Sequence, residues 1–322
     1  MAQLLKAAKP QLRDFNPQAL ANTVWALATF GYYDGAFVAK LLKEAKPQLR
    51  DFNPQALANT AWALATLGRY DGAFVAALLK AAKLQLRDSK PQELAIMAWA
   101  LAKVQHYDGA FMAALVKEAM PRLRDFTSQA LTNTAWALAA LDHANNAFMA
   151  ALLQQAAGVV PSFEAQQLNQ LFMCELWLKD QHSDVAVPSQ LAAACKEAWM
   201  EERHNPKSSD VQRQVLAVVR ELPGCSDAIS EQATDDGLFN IDIAVQLPDG
   251  SRLAVEVDGP SHFLNFPPDR LVGAALLRNR LLESRGWRVE SAPVMTGWLP
   301  HARLGEQVAR DYLTSLGVGR IS

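Results

Sequence analysis

Four residues in the C-terminal third have types and spacing suited to hydrolytic chemistry: Asp242, Glu256, Asp258 and His262. The string Leu247-Pro248-Asp249-Gly250-Ser251 fits a three-residue hairpin loop, a type I turn with Gly250 in the left-handed position. Pairing Leu247 with Ser251 brings Asp242 opposite Glu256, and Asp258 shares the face of Glu256. Ile241, Ile243, Val255 and Val257 take the other, apolar face. Like charges directly opposed destabilise a sheet, so a compensating cation is expected, and Mg²⁺ with oxygen ligands is the candidate. Gly259-Pro260-Ser261-His262-Phe263 follows and brings an imidazole close to the same corner.

A second set of chemical groups repeats along the N-terminal half. The phrase from Phe15 to Ala28 returns 37 residues later, from Phe52 to Ala65, and tryptophans recur at 25, 62, 99 and 136. A fifth, decayed copy begins at Phe163. Within each copy one position is Gln18, Gln55, Gln92, Gln129 and Gln166, while four residues on it varies: Asn22, Asn59, Ile96, Asn133, Gln170. A constant amide beside a variable one is what a one-base-per-repeat reader requires. Lys6, Lys43, Lys80 and Lys117 recur too, as do Lys9, Lys46 and Lys83, then Arg13, Arg50, Arg87 and Arg124. At spacings of three and seven they share a helix face and form a basic stripe suited to a phosphate backbone, partly neutralised by Asp14, Asp51, Asp88 and Asp125. The tryptophans, set among apolar neighbours, are expected in the core between repeats.

The elements that carry these groups follow from local signals. Asn16 is an N-cap and Pro17 suits the first helical position, with Phe15 and Leu20 as a hydrophobic staple. Leu20, Val24 and Leu27 form one stripe, and Gly31 ends the helix. A second helix opens at Asp34 and runs to about Lys46, where Pro47 ends or kinks it. Ser89-Lys90-Pro91 replaces Phe-Asn-Pro in the third copy, so that helix is expected to be less firmly capped. A fixed period of this length means stacked helical hairpins. The fold class is an α-solenoid of hairpin repeats followed by a small α/β domain. We read residues 1–203 as the solenoid, 204–209 as a linker and 210–318 as the second domain, with a helix near 210–222, strands 238–247, 252–258 and 287–292, and helices near 268–285 and 304–316.

Bulk properties narrow the functional class. The 322 residues are half apolar and one fifth charged, a globular composition. Residues 1–160 hold 16 Lys and Arg against 11 Asp and Glu, so the repeat half is about +5 and the rest about −7. Cys174, Cys195 and Cys225 lack paired or metal-ligand spacing, which points to a reducing compartment and no structural zinc. No run approaches the ~18 apolar residues of a membrane span. The chain opens inside the second half of a repeat, whereas a solenoid starts with a capping unit; further sequence ahead of Met1, with any targeting peptide, is therefore expected.

The repeat from Phe15 to Ala140, extending to about residue 200, resembles the octotricopeptide and heptatricopeptide repeats of organellar RNA-binding proteins, and the 37-residue spacing is nearer the second class. Asp242 and then Glu256-Val257-Asp258-Gly259-Pro260-Ser261-His262-Phe263, over about residues 208–318, resemble the RAP domain, itself similar to the PD-(D/E)XK restriction-endonuclease-like core. The resemblance implies single-stranded RNA as ligand and a mitochondrial or chloroplast location. It also implies Asp242 and Glu256 as metal ligands, Asp258 as a third and Glu221 as a more distant one. Asp258 holds the position of that fold's usual lysine, which leaves His262 to act as base.

The expected function is organellar RNA binding in processing, stability or translation of messenger or ribosomal RNA, alongside other RNA-processing proteins and without a membrane. Five repeats at one base each would read about five nucleotides. The competing readings are a Mg²⁺-dependent endoribonuclease centred on Asp242, Glu256, Asp258 and His262, and a ribosomal-RNA clamp or protein-binding scaffold.

Overall fold

The computed structural model describes residues 1–202, 209–268 and 270–319, so most of the expected linker at 204–209 lies outside the described residues. The chain divides into two compact units, Met1–Lys196 with Leu264–Gly273, and Glu197–Phe263 with Ala274–Ser322. The first is helical; the second carries a four-stranded mixed sheet.

The helical unit opens with α1 (Ala2–Ala8), followed by hairpins at the 37-residue period. These are α2 (Pro17–Thr29) with α3 (Gly35–Ala45), α4 (Pro54–Thr66) with α5 (Gly72–Lys83), and α6 (Pro91–Lys103) with α7 (Gly109–Ala119). Then come α8 (Ser128–Ala140) with α9 (Asn146–Ala157), and α10 (Ala165–Asp180) with α11 (Ser189–Glu202). Asn16 and Asn53 cap as their side chains suggest, each accepting from the N–H three residues on at 2.8 Å. Asp34, Asp71 and Asp108 do the same for the second helices. Lys90 offers no acceptor; its own N–H instead donates to the Glu93 carboxylate at 2.7 Å, so α6 is capped from the opposite side. Past Ala45 the chain tightens into a 3₁₀ turn, Lys46–Asp51, because Pro47 cannot donate to the α-helical ladder.

Each first helix packs along the first helix of the next hairpin, burying Leu20, Val24 and Leu27, then Leu57 and Leu64, Leu94, Ala98 and Leu101, and Leu131, Ala135 and Leu138. Recurrent polar pins cross the same joints. Gln85 Nε2 donates to the Phe52 carbonyl at 2.9 Å, and Arg122 Nη1 to the Ser89 carbonyl at 2.7 Å. At the opposite turns, Tyr70 pairs with His106 at 3.0 Å and Tyr107 with His143 at 2.9 Å. Residues 264–273, read from sequence with the second domain, group with the helical unit. Phe266 N–H donates to the Gly68 carbonyl at 3.0 Å, and Tyr70 N–H returns to Phe266 at 2.8 Å. Gly68 has φ +60, and a Cβ there would stand 2.7 Å from Asn265 N.

The second unit contains α12 (Asp210–Val219), β1 (Ile229–Ala233), β2 (Asn240–Gln246), β3 (Arg252–Glu256), α13 (Gly273–Glu283), β4 (Trp287–Ser291), α14 (Leu299–Ala302) and α15 (Glu306–Ser315). The sheet order is β1-β2-β3-β4, antiparallel except for the β3–β4 pair. Ile243 pairs with Val255 and Ala244 with Ala254, the register the loop implied, and Gly250 takes φ +86 within that turn. Strand β1 carries no such signal: its Ile229 is exposed, and Ser230-Glu231-Gln232 has no apolar alternation. Val215, Val219, Ile243, Val255 and Leu313 form the core beneath the sheet.

Candidate functional site

Spacings of four, three and four put Gln18, Asn22, Trp25 and Thr29 on one stripe of α2, turned away from Leu20, Val24 and Leu27. The same stripe recurs on α4, α6, α8 and α10. Stacking of first helices joins the stripes into an open groove of about 540 Å³. Asn59, Gln92, Gln129, Asn133 and Gln170 line it, together with Gln166 of the fifth hairpin. Gln18, Asn22 and Gln55 do not line it: Gln18 Nε2 donates to Asn22 Oδ1 at 2.9 Å, and Gln55 sits exposed at the equivalent place on α4.

The tryptophans correct the expectation that they are inter-repeat core. Trp25 is 43% exposed, Trp62 and Trp99 are half-buried and line the groove, and only Trp136, at 5%, is buried. The reason is angular. Tryptophan lies seven residues after the constant glutamine, almost two full turns, and so shares its side of the helix.

The lysines lie on the second helices, where the repeat pattern places them, and none of Lys6, Lys43, Lys80 and Lys117 lines the groove. Lys6 lies on α1, and Lys43, Lys80 and Lys117 lie exposed on α3, α5 and α7, whereas the amides and tryptophans lie on first helices. The basic stripe and the amide column therefore belong to different helical layers. One cation does reach the tryptophan column: Lys103, at the end of α6, brings Nζ to 5.1 Å from the centre of the Trp99 ring. Burial pushes its pKa down. The repeat register could have revealed it, since Lys103 stands where the first two copies have Thr29 and Thr66.

In the second unit, Asp242, Glu256, Asp258 and His262 come together as the hairpin register requires. Glu256 and Asp258 are 3% and 4% exposed. Asp242 Oδ2 accepts from Val257 N–H at 2.8 Å, and His262 Nδ1 lies 2.6 Å from Asp258 Oδ1. Desolvation, then the nearby Glu256 charge, raises the Asp242 pKa to about 6. The hydrogen bond to Asp258 holds the His262 pKa above its ordinary value.

A positive side chain reaches the same corner. Arg278 of α13 donates from Nε to Glu256 Oε2 at 2.8 Å and from Nη2 to the Asn240 carbonyl at 2.6 Å. Its charge also acts on Asp242 and Asp258. Glu231, at φ 55 between the pairs Ser230–Ile243 and Gln232–Ile241, adds a further negative charge near Asp242. Neither residue was legible, because α13 carries two arginines, Arg278 and Arg280, and β1 no strand pattern. Glu221, the more distant expected ligand, instead pairs with Arg310 of α15.

Mg²⁺ needs near-octahedral oxygen donors. Glu256 Oε1 and Asp258 Oδ2 are buried with no hydrogen-bond partner among the described residues, so the cluster retains oxygen donors toward a cation, while one oxygen of each carboxylate is already engaged. A guanidinium holds one oxygen of Glu256, an imidazole one of Asp258 and a backbone N–H one of Asp242. Among the described residues no group of three His, Cys, Asp or Glu could hold a metal ion. Cys174, Cys195 and Cys225 are free and buried. Among the described helices, none is long and apolar enough to cross a membrane.

Residues 29–156, from the end of α2 to α9, match a family described as the Tbc2 translation factor, N-terminal domain. No curated protein matches the chain.

Proposed function

We propose that the helical unit binds single-stranded RNA along the groove of the first helices, and that the protein acts in an organelle on translation, processing or stability of messenger or ribosomal RNA. One observation carries the reading. Amides from successive hairpins, Asn59, Asn133 and Gln170 at the variable position with Gln92 and Gln129 at the constant one, converge on a single groove whose walls include Trp62 and Trp99. Amides satisfy base edges, and tryptophan faces stack on bases of any sequence. The likeness of residues 29–156 to a translation factor's N-terminal domain supports the same assignment.

The repeats are read as octotricopeptide- or heptatricopeptide-type and the second unit as a RAP-like domain with a restriction-endonuclease-like core. Asp242 beside Glu256 on a hairpin, with Asp258 and His262 following, supports that likeness. Arg278 on Glu256 favours a binding or structural role for this unit over Mg²⁺-dependent cleavage. Lys43, Lys80 and Lys117 act at a distance, attracting the polyanion and raising its encounter rate.

Ultraviolet crosslinking of the full chain to RNA, followed by peptide mapping and sequencing of the bound strand, tests this. Adducts should fall on α4, α6, α8 and α10. Recovery of the chain without RNA adducts would favour the protein-binding scaffold instead.

A further inference from the structure

The third hairpin breaks the column in two ways at once. Where Asn59 precedes and Asn133 follows, it has Ile96, which lines the groove but has no hydrogen-bonding group. One helical turn past Trp99, where the other copies read Thr29, Thr66, Ala140 and Trp177, it has Lys103. The two departures sit on the same stripe of the same helix, on either side of an indole that faces the groove.

We propose that Trp99 and Lys103 form an anchoring register, holding one nucleotide by ring stacking and phosphate charge without reading its base, between reading registers at Asn59 and Asn133. The inference rests on the RNA-binding reading of the groove. An isoleucine can fill space against a base, but it leaves the donors and acceptors of every base edge equally unmatched, so it does not discriminate among them. An indole offers a stacking face to any base. A lysine is a compact point charge suited to one phosphate. Lys103 is held by its stem, half-buried beside Trp99, so little side-chain freedom remains to be lost on binding. A lysine in the last turn of a helix also favours the negative end of its dipole, and that purely structural role must be separated from binding.

The probe is a pool of random 12-nucleotide single-stranded RNAs, selected on the immobilised full chain. The selected strands should show base preference on both sides of one uninformative position. Ile96→Asn should make that position informative and leave its neighbours unchanged. Trp99→Ala should weaken binding about tenfold for every base there, with Trp99→Phe retaining most of the affinity. Lys103→Met should reduce the log–log salt slope by about 0.7, and Lys103→Arg should restore it; a dipole role alone would move the thermal midpoint and leave the slope intact. If the selected RNAs bind Trp99→Ala and Lys103→Met as tightly as the unaltered chain, the anchor is wrong while RNA binding stands. If the unaltered chain enriches no RNA, the groove reading itself falls.

Discussion

Arg278 Nε stands 2.8 Å from Glu256 Oε2, so a guanidinium pairs directly with one of the two opposed strand carboxylates. The side chain reaches from α13 to β3, and its second donor holds the Asn240 carbonyl at the start of β2. Removing one partner of a buried pair leaves an uncompensated charge. Arg278→Met should lower stability by about 3–5 kcal/mol, read by urea unfolding. The double variant Arg278→Met with Glu256→Gln should recover a substantial part. Equal loss in the single and double variants would show that the pair is not what holds this corner.

Asp242 sets an acid-side signature. Its folded pKa is raised to about 6, so the folded state holds this proton more tightly than the unfolded chain does. Its contribution is fully present below the ordinary aspartate range and is lost as pH rises from about 4 to 6. Asp242→Asn keeps an acceptor for Val257 N–H and removes the titration. The variant should gain on the unaltered protein across that window, by roughly 1–3 kcal/mol at neutral pH. Parallel stability profiles for the two would contradict the raised value.

His262 acts in the next window up. Its pKa is raised chiefly by the hydrogen bond to Asp258, so its stabilisation is present below about pH 6.5 and fades as pH climbs through the higher folded value. The stability difference between the unaltered protein and His262→Gln should therefore be larger at pH 5.5 than at pH 8.5. Unfolding midpoints at those two pH values measure it; a difference that grows toward alkaline pH would reverse the assignment.

The separation of lysines from amides predicts a division between rate and lifetime. Replacing Lys43, Lys80 and Lys117 together by Gln should slow association with RNA at low salt, and the deficit should vanish above about 0.5 M salt. Asn59→Ala and Asn133→Ala should instead shorten the lifetime of the complex with a selected RNA. Stopped-flow association and dissociation traces separate the two, and a lysine effect confined to dissociation would place those side chains in contact with the strand.

Gly68 tests the helical unit. It combines φ +60 with a Cβ position 2.7 Å from Asn265 N, so Gly68→Ala suffers both backbone strain and a clash. A loss of about 2 kcal/mol is expected in thermal unfolding of the full chain. Gly31→Ala, at the same φ with no atom within 4 Å of its Cβ, should lose only the strain component.

By itself the sequence determined what repeats and what is local. The 37-residue period, the caps at Asn16 and Asp34, the stop at Pro47 and the hairpin turn at Gly250 all follow from chemistry within a few residues, and the structure has them. The meeting of Asp242, Glu256, Asp258 and His262 was legible for the same reason: one turn fixes the register of both strands. Tertiary structure decided what depends on the angle between helices and on partners far along the chain. It turned Trp25, Trp62 and Trp99 from core into groove wall and left Trp136 buried, because burial is a property of the stacked layer and not of the residue's immediate neighbours. It set Lys43, Lys80 and Lys117 apart from the groove that the amides line. It also supplied Arg278, 22 residues beyond Glu256 and on another element, as the neutralising charge. A pattern of like charges demands compensation, but only the packing of α13 on the sheet selects the cation.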